Sequence, residues 1–425
     1  MIPFVIRIWK TSELRNKILF VLALLIVFRV AANIPIPGID AQELAKFFQG
    51  NQFFGLLNIF SGGALSNLSL AMLGLGPYIT STIILQLMTM VFPALKEIYQ
   101  ESGEQGRQKF NQYGRLLTVP LAALQGYGLI TLFSRQGIIT SLTPFEFLTT
   151  IAVVTAGAVL LMWLGEVISE KGVGNGISLL IFAGIVAGVP NALQRLIASG
   201  STEQIPTYAI FALLSIFIVT SVVVINEARR NIPVTYARRV QGAKMYGGIT
   251  TFLPLSINPA GVIPIIFALS ILLFPSMIGN FLVNSSIGIV ASVASAVVQF
   301  SNGTLGYSVA YFVLVIIFTY FYTAVTFDPK NIATNLQKQG GFVPGIRPGA
   351  STAGHISHIL NRTLLVGAIF LGVIAVLPSF VQGATNVQAF QFLVGGTSVL
   401  IVVSVVLETM RQIRAQIAMR EYDKT

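Results

Sequence analysis

The chain contains no cysteine, which excludes disulfides and any thiolate chemistry, catalytic or metal-binding. Charge is nearly as scarce. Only 10% of the residues are Asp, Glu, Lys or Arg, against about 25% in a typical soluble domain. The two histidines, His355 and His358, are spaced i and i+3, but no carboxylate falls within the same few turns. Solvated polar residues are therefore favoured over a metal site, and no metal or other cofactor is expected. Glu166, Glu170, Glu227 and Glu408 fall at the ends of apolar stretches rather than their centres, which leaves a proton relay little support. No Ser, His and Asp set occurs at membrane depth, and no nucleotide-binding loop is present. An enzyme is not expected.

What the chain has in abundance is apolar length. Hydrophobic residues make up 54% of the sequence, and the mean hydropathy is +0.79. About 20 apolar residues cross a bilayer core as a helix. Ten candidate spans fit: 18–34, 70–92, 116–133, 147–165, 177–197, 206–226, 257–279, 308–327, 363–381 and 395–413. The first lacks a small-residue cleavage site and runs into Ile34-Pro35-Ile36-Pro37-Gly38, so it is expected as a retained span, not a signal peptide.

The net charge of +11 invites a nucleic-acid partner, but its placement speaks for topology. Basic residues cluster before the first span (Arg7, Lys10, Arg15, Lys17) and on every second connection. These hold Lys96, Arg107, Lys109 and Arg115, then Lys171, then Arg229, Arg230, Arg238, Arg239 and Lys244, then Lys330, Lys338, Arg347 and Arg362. The alternate connections hold only Lys46, Arg135 and Arg195. Basic loops stay on the cytoplasmic side, so both termini are expected there.

Ten spans divide into two halves of five, 1–200 and 201–425. Five is odd, so the second half is inverted relative to the first, an arrangement that puts a pathway at the bilayer midplane. Long inner loops cover about 227–252 and 328–362, and a short apolar segment at 287–298 suits an interfacial helix. Pro77, Pro120, Pro190, Pro259 and Pro264 interrupt spans, which is tolerated at membrane depth only where protein or a cavity satisfies the freed backbone. Arg29 lies inside the first span, and the uncharged polar residues inside the spans include Thr80, Gln86, Gln125 and Asn258. They serve either interhelical hydrogen bonding, worth about 0.6–2 kcal/mol each, or a helix seam that opens. Isoleucine commonly packs or faces lipid, so periodicity alone names no pore.

Eight collinear segments sharpen the reading. They are Ile34-Pro35-Ile36-Pro37-Gly38-Ile39-Asp40; Asn58-Ile59-Phe60-Ser61-Gly62-Gly63-Ala64-Leu65-Ser66; and Pro77-Tyr78-Ile79-Thr80 with Ile84-Leu85-Gln86-Leu87. Met162-Trp163-Leu164-Gly165-Glu166, Gly172-Val173-Gly174-Asn175-Gly176-Ile177-Ser178 and Asn258-Pro259-Ala260-Gly261-Val262-Ile263-Pro264 follow. Gly341-Phe342-Val343-Pro344-Gly345-Ile346-Arg347-Pro348-Gly349 and Gly395-Gly396-Thr397-Ser398 complete the series. In this order and spacing, from about Glu13 to Arg420, the chain closely resembles the bacterial SecY family, channel subunits of the Sec protein translocon.

The resemblance implies an all-α polytopic membrane protein of about ten transmembrane helices. Its two inverted five-helix halves would form an hourglass channel with a lateral gate. By position in the motifs it places a pore ring at Leu75, Ile79, Ile181, Ile266 and Ile401. The plug falls at about 54–66, including Phe60, Ser61, Gly62, Gly63 and Ala64. The gate falls at Thr80 and Gln86 against Asn258, and motor or ribosome contacts at Arg238, Arg239, Lys244 and Arg347. Implied partners are the small membrane subunits SecE and SecG, the SecA ATPase, the translating ribosome, unfolded preprotein with a signal sequence, and membrane lipid. The implied function is a protein-conducting channel in the cytoplasmic membrane that also releases apolar segments sideways. The alternative is a secondary transporter of a small solute, which would want a charged or ion-coordinating midplane site; none is evident.

Overall fold

The computed structural model describes residues 9, 11–36, 61, 63–65, 67–100, 103–135, 137–139, 143–198, 205–236, 239–241, 244–246, 250–283, 287–302, 304–385 and 396–422. In chain order these form α1 (Ser12–Ala32), α2 (Gly76–Val91), α3 (Pro93–Gln100), α4 (Gly103–Arg135), α5 (Pro144–Lys171), α6 (Gly176–Ala198) and α7 (Ile205–Glu227). Four strands follow: β1 (Arg229–Tyr236), β2 (Arg239–Gln241), β3 (Lys244–Tyr246) and β4 (Thr250–Ser256). Then come α8 (Ile263–Leu282), α9 (Gly288–Asn302), α10 (Thr304–Thr326), α11 (Pro329–Lys338), β5 (Gly341–Phe342), α12 (Ala350–Thr385) and α13 (Gly396–Tyr422).

Helices occupy all ten of the expected apolar stretches. Gly103–Ser134, Pro144–Lys171, Leu305–Lys338 and Ala350–Leu377 are each long and apolar enough to cross a membrane. Gly76–Val91 and Pro93–Tyr99 reach the same length and apolarity only when taken together, and they are bent by 117° to one another. Shorter apolar runs lie in α6, α7, α8 and α9. Prolines punctuate two of these, with Pro190 inside α6 and Pro275 inside α8, while α1 and α13 carry charges near their ends.

The prolines do two kinds of work. Pro77 and Pro264 occupy the first turn of α2 and α8, where the missing N–H costs nothing and the fixed φ suits a helix start. They begin helices rather than interrupt them. Pro120 and Pro190 do lie inside α4 and α6. The stretch from 67 to 75 is a chain of turns, with Gly74 in the left-handed region (φ 56), so only the later part of the second apolar run is helical. Likewise the seventh run begins with turns before α8. Polar caps set two further starts. Thr143 and Glu146 form a reciprocal capping box ahead of α5, and Asp328 accepts from Lys330 N and Asn331 N ahead of α11.

The two long basic loops fold together. β1 pairs antiparallel with β4 from Arg229↔Ser256 to Thr235↔Thr250, and with β5 at Thr235↔Phe342. Ile232, Val234, Leu255, Val343 and Ile356 bury a small core beneath this sheet.

In the first half α2 packs on α4, α4 on α5, α5 on α6, and α1 on both α5 and α6. In the second, α7 packs on α13, α8 on α10, α10 on α12 and α12 on α13, with α9 lying on α8 and α10. The halves meet along two lines: α8 against α2 and α4, and α6 against α13.

Close packing in the first half depends on Gly157 of α5. A Cβ there would overlap the Leu70 carbonyl oxygen, so the turn segment can lie directly on the helix backbone. A backbone atom cannot swing aside as a side chain does. Gly157→Ala is expected to destabilise by about 1–3 kcal/mol, lowering the unfolding temperature of the purified protein. Gly188→Ala on α6, where a Cβ meets nothing within 4 Å, is expected to be neutral or stabilising through helix propensity. Equal melting of the two variants would contradict this packing argument.

Candidate pore, seam and docking surface

The turn chain ending at Leu75 sets the centre of the molecule. Leu75 is the N-cap residue of α2, and Ile79 N donates to its carbonyl at 3.0 Å, so the two stand one turn apart on one face. Leu75, Ile181 and Ile401 are 4%, 3% and 1% exposed, and Ile79 and Ile266 are half-buried. All five belong to one continuous apolar cluster, fed by α2, α6, α8 and α13 from both halves. Ile83, one turn beyond Ile79, joins them.

Of the expected plug, Phe60 and Gly62 lie outside the described residues. Ser61, Gly63 and Ala64 lie within them. Ala64 is fully buried in the same cluster as Leu75, Ile181 and Ile401. The Ser61 hydroxyl accepts from Leu65 N at 3.1 Å, and Ser69 N and its hydroxyl both donate to the Ala64 carbonyl, at 3.0 and 3.1 Å. These bonds satisfy part of the segment's backbone, as burial requires. Leu68 is held at φ 36, a strained setting for a branched residue, costing about 1–3 kcal/mol. The Ile36 N–H bond to its carbonyl at 3.0 Å and the burial of its side chain hold it there.

On the α2–α8 line, the expected seam residues make no hydrogen bond to one another. Thr80 Oγ1 donates to Gly76 O of its own helix at 2.9 Å. Asn258 donates to Asn226 Oδ1 at 3.0 Å and Gly261 O at 3.1 Å, and Asn226 in turn donates to Ser404 Oγ at 2.8 Å. The amide oxygens of Gln86 and Asn258 are both buried without a partner among the described residues. Each unmet acceptor costs about 1–3 kcal/mol, which water would relieve if the seam parted. Inside the first half two polar contacts tie helices together, although Thr155 Oγ1 of α5 is buried without a partner among the described residues. Ser81 Oγ meets Thr118 Oγ1 and Gly114 O, each at 2.9 Å, joining α2 to α4. Arg115 Nε meets Glu166 Oε1 at 2.7 Å, joining α4 to α5. These helices are cross-linked into one body; the seam is not.

A cleft of about 600 Å³ opens between α3 and α4 on one side and the end of α10 with α11 on the other. Tyr99, Arg107 and Asn111 line one side, and Thr326, Asp328 and Asn335 the other.

Among the loop residues, Arg238 lies outside the described residues. Arg239 and Lys244 stand in the β2–β3 hairpin, paired with Tyr246 and Gln241. Arg347 is exposed on a stiff tip. Val343 beside it is buried, Ile346 N turns back to Val343 O at 3.1 Å, and Thr352 Oγ1 donates to the Arg347 carbonyl at 2.9 Å.

Several contacts that matter here escape sequence reasoning: Ser81–Thr118, Asn226–Ser404, Arg411–Glu227 and Gln412–Gly174. Each pairs residues far apart in the chain, so the side chains' identities alone do not say what they face.

One apolar cluster drawn from both helical halves takes in the five expected ring residues and Ala64 of the expected plug. The SecY family model matches residues 69–410. A protein translocase subunit SecY of Streptomyces galbus is 42% identical over 441 residues, covering 98% of this chain and 98% of that protein. A structure reporting that the SecY plug domain stabilises the closed state of the translocation channel and maintains a membrane seal matches with a TM-score of 0.64. It is 21% identical and covers 94% of this chain and 91% of its own. Sec61 in a canine ribosome–channel complex from the endoplasmic reticulum matches with a TM-score of 0.62 at 22% identity, with the same coverage of 94% and 91%. The chain belongs to the SecY family. It is a membrane protein with the hourglass channel fold, a protein-conducting channel and not an enzyme. The small-solute transporter alternative has no support among these relatives.

Proposed function

We propose that the channel works in the cytoplasmic membrane with both termini on the cytoplasmic side, as a gated pore between halves 1–200 and 201–425. The pore ring is Leu75, Ile79, Ile181, Ile266 and Ile401, and the plug is about 54–66. The observation that carries this reading is that the five ring residues, from four helices and both halves, share one apolar cluster with Ala64.

Such a ring answers two conflicting demands. It offers an ion no replacement for its hydration and can gate by dewetting, yet its flexible aliphatic walls yield to a passing chain. The plug adds a second barrier above the same cluster. Sideways release follows partition energy: a central Leu or Ile contributes roughly −0.3 to −0.6 kcal/mol on insertion, while Arg or Asp costs about 2.5 to 3.5. An apolar segment exposed at the α2–α8 seam, with Thr80, Gln86 and Asn258 near it, therefore leaves into lipid. A polar one continues through the pore.

The chain has no nucleotide-binding loop, so direction comes from a partner: the SecA ATPase or the translating ribosome, received on the two long basic loops that carry Arg238, Arg239, Lys244 and Arg347. The relative solved in a ribosome–channel complex supports the ribosome as such a partner. SecE and SecG complete the assembly in the membrane, and the client is an unfolded preprotein.

Reconstitution with SecE, SecG, SecA and ATP tests the reading with two variants. Arg347→Glu is expected to lose about 2–5 kcal/mol of a docking contact and most SecA-driven transport, with SecE assembly and ion tightness intact. Ile181→Ser with Ile401→Ser is expected to raise potassium leak from loaded vesicles, because a polar, smaller lining holds water. A tight double variant would sink the ring, and full transport by Arg347→Glu would return that residue to general topology.

A further inference from the structure

The chain itself joins the two halves between α6 and α7. That link lies about 34 Å along α6 from Gly176, because α6 has 23 residues. At the Gly176 end no covalent connection holds the halves in register, yet two independent contacts do. Gly174, in the turn between α5 and α6, donates its N–H to Gln412 Oε1 of α13 at 2.9 Å. Gly174 stands at φ 90, and a Cβ there would press on Thr409 Oγ1 at 3.1 Å, so glycine is what lets this turn lie against α13. Beside that bond sits a separate small core. Leu14 of α1 and Val173 come from the first half and Ile413 from the second; all three are buried, with Ile18 and Ile417 packed on them.

We propose that Gln412, Gly174 and the Leu14–Val173–Ile413 core form a pivot, and that Gln412 is a positioning residue for gating. The inference rests on the reading of the α2–α8 line as the opening seam. The two lines along which the halves meet then have different chemistry. At the seam the named polar groups make no hydrogen bond to one another; beside α6–α13, a buried core of α1, the α5–α6 turn and α13, with a satisfied backbone donor, joins the halves. The pivot helix is also tied to the docking sheet. Arg411, next to Gln412, donates to the Asn226 carbonyl at 2.8 Å and to Glu227 at 2.7 Å, at the end of α7 where β1 begins. A load on the sheet therefore reaches α13, which carries Ile401 three turns away.

The absence of cysteine permits clean spin labelling of the purified protein in nanodiscs. One pair, Val91→Cys with Ile278→Cys, reports the seam; another, Glu170→Cys with Ala415→Cys, reports the pivot. On adding a synthetic signal peptide, the seam distance is expected to lengthen while the pivot distance stays fixed. Gln412→Leu is expected to broaden the pivot distribution and shift the seam's open-to-closed ratio by roughly three- to tenfold, the worth of one hydrogen bond. Gln412→Glu, which keeps the acceptor, should restore wild-type behaviour at both. A pivot pair that moves as far as the seam pair, or a Gln412→Leu protein with unchanged distributions, would overturn the pivot alone. A seam pair that does not respond to the peptide would overturn the gate reading and the pivot with it.

Discussion

Everything in this molecule turns on one apolar cluster that must seal without being bonded shut. Dispersion and hydrophobic contact are non-directional, so Leu75, Ile79, Ile181, Ile266 and Ile401 can close on one another, on Ala64 or on a passing chain at similar cost. A hydrogen-bonded constriction would have to break specific pairs each time. The architecture brings residues of α2, α6, α8 and α13 into one apolar cluster, and in the proposed reading the α2–α8 line is the one that parts.

That division of labour is visible in where the directional bonds fall. Ser81–Thr118 and Arg115–Glu166 unite α2, α4 and α5; Asn258–Asn226–Ser404 unites the root of α8 with α7 and α13. Each half is stiffened internally. The amide oxygens of Gln86 and Asn258 are buried without a partner among the described residues, as are the hydroxyls of Thr155 and Tyr311; in the proposed reading, hydration of the first two accompanies opening. Glycine does the complementary work. Gly157 seats the turn chain that presents Leu75, and Gly174 seats the loop that meets α13.

Much of this was legible in the residues. Hydropathy located the ten stretches, because crossing a hydrocarbon core demands length and apolarity together. The collinear motifs carried the family. The small sheet was not legible: Ile232, Val234 and Leu255 alternate over short runs in a basic loop, and their partner β5 is about a hundred residues away. Nor could the sequence say that Pro77 and Pro264 start helices, since a proline reads alike at a first turn and at a break. The ring is the instructive case. Isoleucines at helical spacing are indistinguishable from lipid-facing ones until the fold brings four helices to one place, so their selection came from motif position rather than periodicity. Asn258 shows the reverse limit. Its polar character in an apolar span was plain, but its bond to Asn226 depends on a neighbour 32 residues earlier.

The most direct measurement is photocrosslinking to a polypeptide arrested in mid-transit, with a photoreactive amino acid placed in turn at the five ring positions and at Leu213 and Ile216, which α7 leaves exposed. If the central cluster is the passage, the arrested chain should crosslink at all five ring positions and at neither exposed α7 position. Crosslinking to α7 with none at Ile181 or Ile401 would contradict the account.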